Sequence, residues 1–197
     1  MQRLTPHFLS IAIAFELSLA AVALLAAALL GLPLSAMFIV SPASVAAGII
    51  ATVPPLLFFR FWLRTGWSPL RRIRHLLLRL LRPLLRQLNV LRALLLGLAA
   101  GIGEELLFRG LIQTGLAALI GPLPALLTAS ALFGVMHWIT NAYALIAALL
   151  GVYFGLLLLL TESLIAPIVA HALYDAVALL QLARRSRPDL RGAAARS

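Results

Sequence analysis

"LLLGLAAGIGEELLFRGLIQ", residues 94–113, decides how the chain is read, because it is apolar enough to cross a membrane yet holds Glu104, Glu105 and Arg109 at its centre. A helix needs about 20 mainly apolar residues to span a hydrocarbon core. An ionisable side chain in the middle of such a span costs about 2.5–3.5 kcal/mol on insertion scales. Three of them together call for partners. Glu105 and Arg109 stand four residues apart, so on a helix they share a face and can pair. Glu104 is turned about 100° away from Glu105 and has to find its partner on another helix or in a hydrated cavity.

The rest of the chain confirms the membrane setting. Hydrophobic residues make up 63% of the sequence and charged residues 11%, against about a quarter charged in soluble domains. Mean hydropathy is +1.06. Apolar residues run on without a helical or strand rhythm, as they do in lipid-embedded chains. The reading is an all-α polytopic bundle of about six transmembrane helices in one domain, with candidate spans at 8–32, 43–63, 90–118, 122–140, 143–160 and 163–183. The first apolar run is too long for the ~7–15-residue core of a signal peptide and is read as a retained span. Pro54-Pro55 is expected to kink the second. There is no cysteine, which excludes disulfides, thiolate metal sites and a cysteine nucleophile.

The net charge of +10 comes from sixteen arginines and no lysine. They flank apolar runs and do not interleave with aromatics, so the charge reads as topology and contact with anionic lipid, not with nucleic acid. Seven of them lie between spans two and three, and Arg184, Arg185, Arg187, Arg191 and Arg196 follow span six. Both termini and the 64–89 connection are therefore expected on the cytoplasmic side; the membrane is expected to be a bacterial inner membrane. The connection near 141 falls on the same side without basic residues. Within 64–89, Arg72, His75, Arg79, Arg82 and Arg86 recur at three- and four-residue steps among leucines, with Pro83 placed to bend the helix. That is the pattern of a basic interfacial helix lying among headgroups. Residues 184–197 read as a basic cytoplasmic tail, disordered over its last dozen residues.

Two later spans hold groups for Glu104. "FGVMH", 133–137, puts Phe133 and His137 one turn apart, and "HALYD", 171–175, does the same for His171 and Asp175. A carboxylate one turn from an imidazole can fix its tautomer. A glutamate and two histidines supply either a carboxylate-activated water or a metal site. Plainer readings exist for each residue. Glu105–Arg109 can be a packing ion pair, and a lone histidine can be a helix contact. Glu16, alone in the first span, is set aside as a pairing group. Glu162, His7 and His75 fall near helix ends or in the interface. Gly101, Gly103 and Gly110 are read as permitting close helix approach. There is no HExxH and no G-x-S-x-G. Tyr174-Asp175 has the "YD" of intramembrane aspartyl proteases, but Asp189 in the tail cannot be the second aspartate.

"EELLFR" (104–109), "FGVMH" and "HALYD", in that order, resemble the EExxxR, FxxxH and HxxxN motifs of the CPBP family, the CAAX-protease and bacteriocin-processing (Abi) intramembrane proteases. The resemblance covers residues 90–183. It implies a polytopic glutamic-type endopeptidase without a cofactor, a type earlier taken for a metalloprotease. It also implies a peptide or protein substrate in the membrane; eukaryotic members act on prenylated CAAX proteins. Carried over, Glu104 is the general base aided by His137, His171 and residue 175 stabilise the oxyanion, and Glu105, Arg109 and Phe133 shape the site. Asp175 departs from the pattern: an amide donates to an oxyanion, whereas an ionised carboxylate repels it. A protonated Asp175, or one that orients His171, would keep the role. A hydrated cavity open to the cytoplasmic side is expected beside Glu104. Rival readings are a metal-dependent hydrolase using Glu104, His137 and His171, a non-catalytic immunity or scaffold protein, and a proton-coupled transporter.

Overall fold

The computed structural model describes residues 7–186 and is helical throughout, with no strand among them. α1 (Phe8–Leu29) leads through a short 3₁₀ turn, Leu34–Met37, to α2 (Pro42–Ala51) and α3 (Val53–Arg64). α4 (Ser68–Leu80) folds back on α3, and α5 (Arg82–Leu85) packs against α10. α6 (Val90–Glu105) runs without a break through a π-helical segment, Leu106–Gln113, into α7 (Thr114–Ile120). α8 (Pro122–Met136), α9 (Asn141–Thr161) and α10 (Ile165–Ser186) complete the bundle. Of the expected tail, Arg184, Arg185 and Ser186 belong to α10, and the rest lies outside the described residues.

Four helical stretches are long and apolar enough to cross a membrane: Phe8–Leu29, Pro42–Arg64, Asn141–Thr161 and Ile165–Ser186. The chain is thus an integral membrane helical bundle. Two of the six expected spans have a different form. Val90–Ile120 is one continuous path that changes from α to π at its charged centre. α8 has 15 residues, about 22 Å at 1.5 Å per residue, and stops where His137 caps it. Both differences fall at the site.

The second span breaks at Thr52, just before the proline pair. Pro55 has no N–H for the carbonyl of Ala51, and the Tyr153 hydroxyl of α9 donates to that carbonyl instead at 2.7 Å. α4 buries Leu70, Ile73 and Leu77 and leaves Arg71, Arg72, His75 and Arg79 exposed. It is fastened by Trp62 Nε1, which donates to the carbonyl of Leu70 at 2.7 Å, and by Arg74 Nη1, which donates to that of Leu63 at 2.8 Å. Leu81 interrupts the helix two residues before Pro83, where the bend was expected.

α6 and α10 form the central pair, with α1 packed on α6, α2 on α10, and the α8–α9 hairpin closing the site. Small residues set these distances. A Cβ on Gly97 would lie 2.5 Å from the carbonyl oxygen of Ala172, and one on Gly101 would lie 2.8 Å from that of Ile168. Helices in lipid gain association energy by such backbone approach, since apolar burial alone does not distinguish a neighbouring helix from lipid. Gly97→Val is therefore expected to cost at least the ~1–3 kcal/mol of an overpacked core, read as a lower unfolding temperature in detergent. The same change at Gly66, with nothing within 4 Å, should stay within about 0.5 kcal/mol. Equal shifts at both positions would contradict the packing account.

Candidate active site

Asn89 starts the helix that carries the charges. Its side chain accepts a hydrogen bond from the Arg92 backbone N–H at 2.9 Å and caps α6. Sixteen residues later the α-helix gives way to π geometry, directly after Glu105. π turns concentrate at functional sites, and here the wider turn is held locally: Thr114 Oγ1 donates to the carbonyl of Arg109 at 2.8 Å.

Glu105 and Arg109 are 0% and 1% exposed, and their Oε2 and Nε lie 3.1 Å apart. Arg109 Nη2 also donates to the Gly151 carbonyl of α9 at 2.9 Å. One turn on, Gln113 Nε2 donates to the Gly155 carbonyl at 3.2 Å. The guanidinium lies 4.7 Å from the centre of the Phe133 ring, which also stacks with His137 at 4.5 Å. Phe133 thus touches both a buried cation and an imidazole.

Glu105 does more than balance Arg109. Its Oε1 accepts a hydrogen bond from His171 Nδ1 at 2.7 Å. That contact holds the His171 proton on Nδ1 and aims Nε2 elsewhere. The tautomer is therefore fixed across helices by Glu105, and not from one turn away by Asp175 as expected. Asp175 Oδ2 is 3.6 Å from Nε2, too long for a hydrogen bond. His171 is clamped further by Phe154, stacked at 4.9 Å with 12° between the planes.

Glu104 faces the other way, as its helical phase requires. Its Oε2 lies 3.8 Å from His137 Nε2 and 3.9 Å from His171 Nε2. This oxygen is buried with no hydrogen-bond partner in the protein. His137 caps α8, and its Nδ1 donates to the Phe133 carbonyl at 2.9 Å, leaving Nε2 free to accept a proton. Both imidazoles thus present the same nitrogen to one carboxylate oxygen, at separations that suit a third group between them. No group of three or more His, Asp or Glu side chains among the described residues has the spacing of a metal site.

A cavity of about 210 Å³ reaches His137, His171 and Asp175, walled by Phe59 and Trp62 of α3, Leu77 of α4 and Tyr143 and Phe154 of α9. Glu104 is not on its wall; its Oε2 lies beside the two imidazoles that are. Two residues beyond the expected set belong to this region. Gln113 repeats the attachment of Arg109 one turn further along, a signal present in its spacing. Glu16 comes from α1, where a Cβ on Gly103 would collide with its carbonyl oxygen. Its Oε2 is buried without a hydrogen-bond partner, and the residue lies within electrostatic reach of His171 and Asp175. Its solitary place in an apolar span was the available signal. Gly110 meets only the side chains of Leu34 and Leu164, while Glu162, His7 and His75 are exposed.

A bundle of lipid-crossing helices that buries a glutamate beside two imidazoles holds the groups a membrane-embedded hydrolase needs. Residues 86–177 match the type II CAAX prenyl endopeptidase Rce1-like family. The part of the chain that carries the site therefore belongs to the CAAX-protease family, in agreement with its motifs. The match supports a CAAX-type intramembrane protease in general, a class that acts on a peptide or protein. Neither a curated protein nor a solved structure matches the chain.

Proposed function

We propose that the protein cleaves a peptide bond of a membrane-associated substrate with a water activated by Glu104. The observation that carries this reading is the convergence of Glu104 Oε2, His137 Nε2 and His171 Nε2 within 3.9 Å. A water held between Glu104 and His137 gives up a proton to the carboxylate as its oxygen bonds to the scissile carbonyl carbon. The carbonyl becomes an oxyanion, stabilised by His171 in its imidazolium form, which keeps Nδ1–H on Glu105 and donates a second N–H from Nε2. When the intermediate collapses, the proton held at Glu104 passes to the departing amine, the C–N bond breaks, and the carboxylate is restored. Glu105 and Arg109 hold His171 and the helix beneath it in place. The cavity, at about 210 Å³, is smaller than the ~300–1,000 Å³ of whole-ligand sites, which suits one apolar substrate group beside the scissile bond.

Comparative membrane proteomics of cells carrying wild type or Glu104→Gln tests the proposal. Uncleaved membrane proteins should accumulate in the variant, and identical profiles would favour the immunity or scaffold reading. On this reading α4 lies at the membrane surface with its arginines among anionic headgroups, and the termini face the cytoplasm of a bacterial cell.

Asp175 gives a separate prediction. Since Glu105 orients His171, Asp175 is not needed for that task, and its charge faces the developing oxyanion. Asp175→Asn is expected to turn over substrate at least as fast as wild type, because an amide donates where a carboxylate repels. A loss approaching the ~10²-fold of a removed oxyanion donor would show that the carboxylate itself is required.

A further inference from the structure

The bundle has a second polar concavity, away from the catalytic groups. Arg60 and Arg64 of α3 and Arg184 and Arg185 of α10 surround a cleft of about 490 Å³ floored by Leu63, Val177 and Leu180, with Gln181 at its edge. Its volume falls within the ~300–1,000 Å³ range of ligand sites. All four arginines are exposed. None has a carboxylate partner among the described residues, where the ion pairs all lie in the catalytic cluster.

Arginines at helix ends have an ordinary explanation, which charge arithmetic tests. Arg64 lies in the last turn of α3, and Arg184 and Arg185 in the last turn of α10. A helix C-terminus carries the equivalent of about −0.5 charge, so two of them offset about one of the four positive charges. Roughly three remain on a cleft with an apolar floor. Below the arginines the same helix faces continue with Leu57, exposed three residues before Arg60, and Leu173, four before Val177. A ligand that fits has phosphate at the level of the arginines and hydrocarbon running down the helices.

We propose that this cleft binds an anionic phospholipid, with the two-phosphate headgroup of a cardiolipin the best match to its charge. Basic pockets between membrane helices recognise such headgroups by bidentate guanidinium–phosphate contacts. The site also has a consequence for the cavity. Neighbouring faces of the same two helices carry Phe59 and Trp62 on α3 and Ala178 and Leu182 on α10, which wall the space beside His171 and Asp175. A lipid clamped across the ends of α3 and α10 therefore braces the wall of the substrate cavity.

The test is binding by the full chain, read without reference to cleavage. Purified protein in mild detergent is incubated with cardiolipin, phosphatidylcholine or inorganic phosphate and followed by native mass spectrometry and thermal unfolding. Wild type is expected to retain one cardiolipin and to unfold at a higher temperature with it, and to gain nothing from phosphatidylcholine. Replacing Arg60, Arg64, Arg184 and Arg185 by Gln should weaken retention by at least about tenfold, and the pair Arg64→Gln/Arg184→Gln should fall between. A matched variant that removes Arg71, Arg72, Arg79 and Arg82 from the open surface of α4 and α5 should retain the lipid like wild type. Equal loss in the cleft and surface variants would reduce the effect to general surface charge and overturn the proposal. Full displacement of cardiolipin by millimolar phosphate would also overturn it, by showing a free-anion site.

Discussion

Glu104→Gln is expected to lower kcat by ~10²–10⁴-fold, the usual contribution of a positioned general base, while leaving the unfolding temperature close to wild type. The two halves of that result have separate causes. Glutamine keeps the volume and one carbonyl oxygen, so the packing around the side chain survives. Glu104 Oε2 takes no hydrogen bond from the protein, so no folding interaction is lost with the charge. What disappears is the capacity to take a proton from water. The measurement is single-turnover cleavage of a substrate found by the proteomic comparison, alongside thermal unfolding of the same preparation. A variant that is as active as wild type would remove Glu104 from the chemistry. One that is inactive and unfolded would make it a structural residue. A chelator series on the wild type separates the metal-dependent rival, which predicts loss of turnover on metal removal.

Glu105→Gln should instead act on the fold. Breaking a buried ion pair from one side costs about 3–5 kcal/mol, because the other charge stays buried and uncompensated. Arg109 has little prospect of relief: it is 1% exposed, with a single hydrogen bond to the Gly151 carbonyl and three aromatic rings around it. Replacing both partners with apolar residues of similar size, as in Glu105→Leu/Arg109→Met, should recover most of the lost stability. It should not recover turnover, since His171 Nδ1 would still lack the acceptor that aims Nε2 at Glu104. Denaturant unfolding and cleavage measured on both variants test this. Matching recovery of stability and activity would show that Glu105 serves only Arg109.

Much of this site was legible along the chain. Glu105 and Arg109 lie one turn apart, and helical phase alone turns Glu104 away from them. His137 and His171 stood out because imidazoles are costly in an apolar span. The break near Pro54-Pro55 followed from the missing N–H groups. Other features were not legible, because they depend on helices distant in sequence. Nothing local in "HALYD" indicates that His171 bonds to Glu105 rather than leaning on Asp175, since the nearer carboxylate in sequence is the farther one in space. The π turn is invisible to an apolar periodicity count, which assumes α geometry. Glu16 looked incidental because its neighbours on α6 and α10 are brought to it only by packing through Gly103.

The sequence by itself determined that this protein lives in a membrane, which residues are too costly to be there without a purpose, and to which family its central segment belongs. The first two conclusions follow from composition and from the transfer cost of single side chains, and the family from the resemblance of three short motifs, all of which are properties of the chain before it folds. Only the tertiary structure decided which carboxylate serves which imidazole. The close packing of α6 against α10 over Gly97 and Gly101, and the early end of α8 at His137, set ångström distances between residues more than thirty positions apart. Hydrogen bonding acts at that range, and spacing along a chain does not encode it.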